Sequence, residues 1–221
     1  MRNLRCISFL LCCFASGPLA FAADGDSGAW STISLNHFVT PTRQLTLDLQ
    51  TRHADDFGSL ERFLIRPYLS WWPDKTTRLT LGYDAHFVET PRDLLEHRIW
   101  QRAEKTYHWG LWSSTVHLWL EQRFIEGVSG VAVRVRPAAQ IKRALGNGAY
   151  VRLQNEIHLN MNSPERGPSS GLDQNRLIFA TGLPLGENVG IEAGYLMQFL
   201  DRPNDVLRHH LMLTLKIKIP D

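Results

Sequence analysis

The chain has 221 residues, 43% of them apolar and 21% charged, with 24 basic and 22 acidic side chains. This length suits one domain, and the near balance of charge excludes the strongly basic surface that a nucleic-acid partner would need. The three cysteines, Cys6, Cys12 and Cys13, all lie near the start, so the rest of the chain has no means of making a disulfide or a thiolate metal site.

Residues 1–23 read as a Sec-type signal peptide. Arg2 and Arg5 form a basic n-region, Ile7 to Ala15 an apolar h-region, and Ala20-Phe21-Ala22 a small-residue cleavage pattern. Cys12 follows Leu10-Leu11 and lacks the small residue that precedes a lipidated cysteine. Removing this segment takes away Arg2 and Arg5 and leaves 22 basic and 22 acidic residues, a formal net charge of zero. No later segment approaches 18 uninterrupted apolar residues, so no transmembrane helix is predicted.

From Ala29 onward the chain alternates with a period of two, which signals strands. From Ala29 to Val39, Ile33, Leu35 and Val39 oppose Thr32, Ser34 and Asn36. Leu45, Leu47 and Leu49 oppose Gln44, Thr46, Asp48, Gln50 and Arg52; Phe63, Ile65, Leu69 and Trp71 oppose Arg62, Arg66, Tyr68 and Ser70. Leu79, Leu81, Tyr83, Ala85 and Phe87 oppose Arg78, Thr80, Gly82, Asp84 and His86. The cleanest stretch, Asp93 to Phe124, sets Leu95, His97, Ile99, Gln101 and Ala103 against Glu96, Arg98, Trp100, Arg102 and Glu104. It turns at Tyr107-His108-Trp109-Gly110, then sets Val116, Leu118 and Leu120 against His117, Trp119, Glu121 and Arg123. Four further runs place Val133, Leu153, Phe179 and Tyr195 opposite Arg134 and Arg136, Arg152 and Glu156, Arg176, and Glu192 and Gln198 respectively. In the last run, Leu207, Leu211, Leu213, Leu215, Ile217 and Ile219 oppose Arg208, His210, Thr214, Lys216 and Lys218.

Each run is about as long as a tilted membrane-crossing strand, roughly 9–11 residues. The expected fold is therefore all-β, an antiparallel up-and-down transmembrane barrel with an apolar exterior and an Arg/Glu-rich interior. Short turns alternate with long polar loops, which places the short turns in the periplasm and the loops outside. Ten strands from Gln44 onward then start and finish in the periplasm, with twelve as the alternative, since bacterial barrels have even counts. Residues 44–221 form the barrel in this reading, and residues 24–43 are an extra strand or a periplasmic segment. Trp71, Trp72, Tyr107, Trp109 and Trp112 gather at one set of ends and Phe63, Phe87, Phe124 and Phe199 at the other, as interfacial girdles. A soluble sandwich or lipocalin-like barrel also alternates, but with its apolar face inward.

The motifs resemble a known family. Glu96-His97-Arg98-Ile99-Trp100-Gln101, Glu121-Gln122-Arg123-Phe124, Arg62 to Tyr68, Leu81-Gly82-Tyr83, Asn155-Glu156, Asp173-Gln174-Asn175-Arg176, Glu192-Ala193-Gly194-Tyr195 and His210 are similar to those of the exported proteins catalogued as domain of unknown function 2490. The resemblance spans nearly the whole chain after residue 23. It implies an outer-membrane β-barrel and no particular activity. The last residues, Ile219-Pro220-Asp221, depart from the terminal aromatic that barrel-assembly machinery usually reads.

The candidate site is the inward set Arg66, Glu96, Arg98, Arg102, Glu121, Arg123, Arg134, Arg136, Arg152, Glu156 and Arg176. Such charges must pair or be hydrated. One reading is a salt-bridge network that fills and staples the lumen, in a barrel with a structural or interaction role; bulky Trp100 and Trp119 would help to fill it. The alternative is a polar path rich enough in arginine to favour anions, a small porin. A lipid-modifying enzyme is a third reading, but no serine lies near His97 or His158 to complete a triad, and His209 and His210 fall on opposite faces. No catalytic, cofactor or metal residues are assigned. The partners expected are outer-membrane lipid and lipopolysaccharide, with periplasmic chaperones and the barrel-assembly machinery during biogenesis.

Overall fold

The computed structural model describes residues 26–54, 57–89 and 93–220. The segment read as a signal peptide lies outside them. Eleven strands succeed one another: β1 (Asp26–Thr40), β2 (Arg43–Ala54), β3 (Ser59–Trp71), β4 (Thr77–Val88), β5 (Leu94–Trp109), β6 (Trp112–Ile125), β7 (Ala132–Gly146), β8 (Ala149–Asn160), β9 (Gly171–Pro184), β10 (Val189–Leu200) and β11 (Val206–Ile219). They form one closed barrel in which each strand pairs with its sequence neighbours. The closing pair is β1 with β11, which run parallel from Asp26 opposite Arg208 to His37 opposite Ile219.

Eleven falls between the ten and the twelve expected. The additional strand is the run from Ala29 to Val39, which carries the same two-faced pattern as its neighbours and is long enough to span the wall. An odd number of strands leaves one neighbouring pair parallel. It also places the two ends of the wall on opposite rims: β11 ends among the short turns, whereas β1 starts on the rim of the long connections.

Short turns close one rim. The turn after β5 is tighter than the sequence suggested, because the strand runs on through Trp109 and only Gly110 and Leu111 lie between it and β6. Gly110 takes φ +58°, which lets two residues suffice. Asn147 and Gly148 both have positive φ, 49° and 77°, the conformation of a two-residue hairpin whose twist matches its strands. In the turn before β4, the Asp74 carboxylate accepts hydrogen bonds from the hydroxyls and backbone N–H groups of Thr76 and Thr77, 2.7 to 2.8 Å away. These bonds, chiefly those from Thr76, hold its carboxyl well below the usual range.

The faces are segregated. Ile33, Leu45, Leu69, Leu81, Leu118 and Leu211 point outward and are 44–59% exposed. The interior is mostly polar; its apolar side chains include buried Leu64, a cluster of Trp30, Ile178, Leu196 and Met212 on one side and Trp100 against Trp119 on the other, with ring centroids 4.4 Å apart. Space for Trp100 comes from Gly82, opposite it on β4: a Cβ there would lie 2.1 Å from the indole. Gly182 makes the same room for Tyr150. Trp71, Tyr107, Trp109 and Trp112 are exposed at the short-turn ends of their strands, and Phe87 and Phe124 at the other ends. Trp72 is a correction to the girdle: it comes directly after Trp71, takes the opposite face and lines the interior, 5.9 Å from Phe38.

Candidate functional site

Alternation along eleven strands aims every second side chain into the barrel. The inward positions at mid-height are filled by arginine and carboxylate, and the carboxylates act as hubs. Glu121 is fully buried: it accepts a hydrogen bond from Arg136 Nη1 at 2.6 Å, with Arg98 and Arg134 at 3.6 and 3.9 Å. Glu96 takes a two-pronged contact from Arg98, Nε at 2.8 Å and Nη2 at 3.0 Å, and a third from Arg123 Nε at 2.6 Å. Glu156 accepts from Arg136 Nη2 at 2.8 Å and from His158 Nε2 at 2.6 Å, with Arg176 at 3.6 Å. Arg152 Nη2 donates to Glu192 at 2.7 Å, and Arg102 lies 3.2 Å from Glu104. The planar guanidinium suits this role, since its fixed fork of donors can bridge two carboxylates.

All eleven charged residues singled out from the sequence project into the barrel. Eight of them, Glu96, Arg98, Glu121, Arg123, Arg134, Arg136, Glu156 and Arg176, form one chain of contacts, whereas Arg102 and Arg152 pair separately with Glu104 and Glu192. Arg66 stands with another hub, Asp84, which it grips at 2.8 and 2.9 Å; Asp84 also accepts from Trp100 Nε1 at 2.6 Å and contacts His86 Nε2 at 3.1 Å. Sequence reasoning placed Asp84, Glu104, Asp173 and Glu192 on polar faces or in motifs without adding them to the site. Asp84 lies in phase with Arg98 on the neighbouring strand and Glu104 shares a face with Arg102, a signal that could have found both; Glu192 and Asp173 meet Arg152 and Arg134 from two strands away, Asp173 at a register shift, which no local phase shows. Arg52 and Trp30 were missed for a different reason: β1 was not assigned to the wall, so nothing showed what faced Arg52.

The histidines divide by face. His97 and His209 point outward, each stacked at 5.8 Å on a tyrosine of the preceding strand, Tyr83 and Tyr195, and hydrogen-bonded to its hydroxyl. His158 and His210 point inward, against Glu156 and Gln198 respectively.

Between the side-chain heads lies a cavity of about 980 Å3. Its lining reaches from Gln44, Lys75 and Thr76 at the short-turn rim to Pro168 and Arg202 at the other. Among the described residues, thirteen arginines and three lysines line it against six carboxylates. Three more carboxylates, Asp84, Glu96 and Glu121, are buried against the wall, at most 3% exposed, behind the arginine heads. Their charges leave the lumen seven positive charges in excess.

A comparison with curated proteins finds an uncharacterized protein of Methylorubrum extorquens, 25% identical over 207 residues that cover 90% of each chain. A family described as "Protein of unknown function (DUF2490)" matches residues 27–208, from the start of β1 into β11. With its barrel wall matched almost end to end, this chain belongs to the DUF2490 family.

Proposed function

We propose that the protein is an integral barrel of the outer membrane of a Gram-negative bacterium, exported through its N-terminal signal, and that its lumen is a narrow passage for small anions. The membrane half of the reading rests on the belt of outward leucines, isoleucines and aromatics around a closed wall without an edge strand. Lipid and lipopolysaccharide are the surroundings that such a belt fits, and assembly then calls on periplasmic chaperones and the barrel-assembly machinery.

The passage rests on one observation above others: a cavity lined from rim to rim, with sixteen basic residues to six acidic. Strands of 12 to 16 residues, rising about 3.3 Å per residue and tilted by about 40°, enclose a lumen roughly 30 Å long. Spread over that length, 980 Å3 is a mean section of roughly 30 Å2. Small anions fit a section of this size. A ring of positive charge in a low-dielectric wall favours anions at the mouth and along the path.

The test has two stages. The protein should fractionate with the outer membrane and migrate differently on gels before and after heating. Recovery in the soluble periplasmic extract would sink the membrane assignment. In planar bilayers under a salt gradient, it should then give small conductance steps whose reversal potential lies toward that of the anion; cation preference would overturn the passage. The Trp100–Trp119 contact and the paired carboxylates at mid-height support a second reading, a filled and stapled strut. Its mark is a sealed bilayer together with a large loss of stability when a hub carboxylate is removed.

A further inference from the structure

One place in the lumen is not neutralised by the network. Trp30, on β1, lies against two guanidinium groups: Arg52 of β2 is 3.9 Å from its ring centre and Arg176 of β9 is 4.9 Å away. The two positive centres are therefore within about 9 Å of each other, in a wall of low dielectric. Among the described residues, no carboxylate lies within 4.0 Å of Arg52. Among the described residues its one hydrogen bond runs from Nε to Gln50 Oε1 at 2.8 Å, and neither terminal nitrogen has an acceptor. Arg176 donates through Nε to Gln174 at 2.9 Å and stands 3.6 Å from Glu156 Oε1, an oxygen that already accepts from Arg136 and contacts His158. Both arginines, Trp30, Gln50 and Gln198 line the same cavity.

We propose that Arg52 and Arg176, held against the ring of Trp30, form a binding site for a small oxyanion, carboxylate or phosphate. The guanidinium fork matches the paired oxygens of either group, which a halide lacks. Cation–π contact fixes the two forks without consuming their N–H donors. The Gln50 and Gln198 amides line the same cavity but already donate to Thr32 and Gln174, so the two guanidinium groups carry the site, and the bound anion relieves the repulsion between them. The site rests on the reading of the lumen as open to anions, and it adds the chemistry that the lumen retains.

The test is a titration of the purified, folded barrel in detergent with inorganic phosphate and, separately, with acetate, monitored by calorimetry and, for phosphate, by 31P line broadening. Saturable binding is expected in at least one arm, and the tighter arm identifies the source of the oxyanion. Arg52→Gln and Arg176→Gln should each weaken it by at least roughly tenfold, the loss of one charge-assisted hydrogen bond. Arg78→Gln, near the short-turn rim, should leave it unchanged. Heat-modifiable migration checks that each variant is folded, and because the two arginines are tested separately, one misfolding variant still leaves the other to decide. Flat titrations in both arms, or binding that survives both substitutions, overturn the site. Saturable binding without conductance keeps the site and removes the passage; anion conductance with flat titrations does the reverse.

Discussion

Within the lumen, the cost of a substitution depends on how many charges it strands. Glu121 is the sole hydrogen-bonding carboxylate at one Arg136 nitrogen and also faces Arg98 and Arg134. Glu121→Ala should therefore cost about 3–5 kcal/mol, the range for breaking a buried ion pair, read as a lower midpoint in urea by tryptophan fluorescence. Arg123→Ala should cost less, because its partner Glu96 keeps both contacts from Arg98. If the two midpoints shift equally, the hub account is wrong. Gly82 tests packing in place of charge. A valine there must displace the indole of Trp100, whose nearest atom is 2.1 Å from the added Cβ, at about 1–3 kcal/mol for overpacking. Gly82→Val protein that unfolds at the wild-type urea concentration would show that the indole can move aside freely.

At the level of the strand, the two faces answer to different surroundings. Leu118 is mid-strand in β6, outward and 54% exposed, while Gln140 of β7 lines the cavity. Leu118→Arg should cost about 2–4 kcal/mol in a bilayer, the value for a cation at a lipid-facing midplane, and Gln140→Arg much less. Equal unfolding energies in lipid vesicles would contradict the assignment of faces. The parallel closure allows a separate test, because the chain beyond residue 13 has no cysteine. Ile33 and Leu215 face one another across β1 and β11. Ile33→Cys combined with Leu215→Cys should oxidise to an intramolecular disulfide in the folded barrel, since adjacent strands bring Cα atoms within the usual 4.4–6.8 Å. Failure to cross-link, alongside ready cross-linking of a β10–β11 pair such as Ala193 and Leu213, would place β1 elsewhere.

For the barrel as a whole, the governing feature is the separation of charge. The sequence after residue 23 is neutral, yet sixteen of its 22 basic residues line one cavity. The loops and outer rims therefore carry the excess of acid. Any anion preference arises from a field and not from a fixed filter, so it should be strongest in dilute salt. It should fade toward about 1 M, where the Debye length falls to about 3 Å. Reversal potentials measured over a salt series provide the check, and a preference independent of salt would point instead to a single tight constriction.

The class of fold and the two faces of the wall were legible in the residues alone. A period of two needs no tertiary knowledge, and Glu96, Arg98 and Arg102 could be placed together inside because they share one strand and one phase. Most of the turns were legible too, since Asn147-Gly148 and Pro73-Asp74 have local backbone preferences. Only the closed ring settled how many strands it takes, which strand meets the last, and which charges meet across the lumen. These depend on register and closure between distant segments, properties no local pattern encodes. Arg52 shows the difference: its inward phase was readable in β2, but its neighbours Trp30 and Arg176 come from β1 and β9 and meet it only once the barrel has closed.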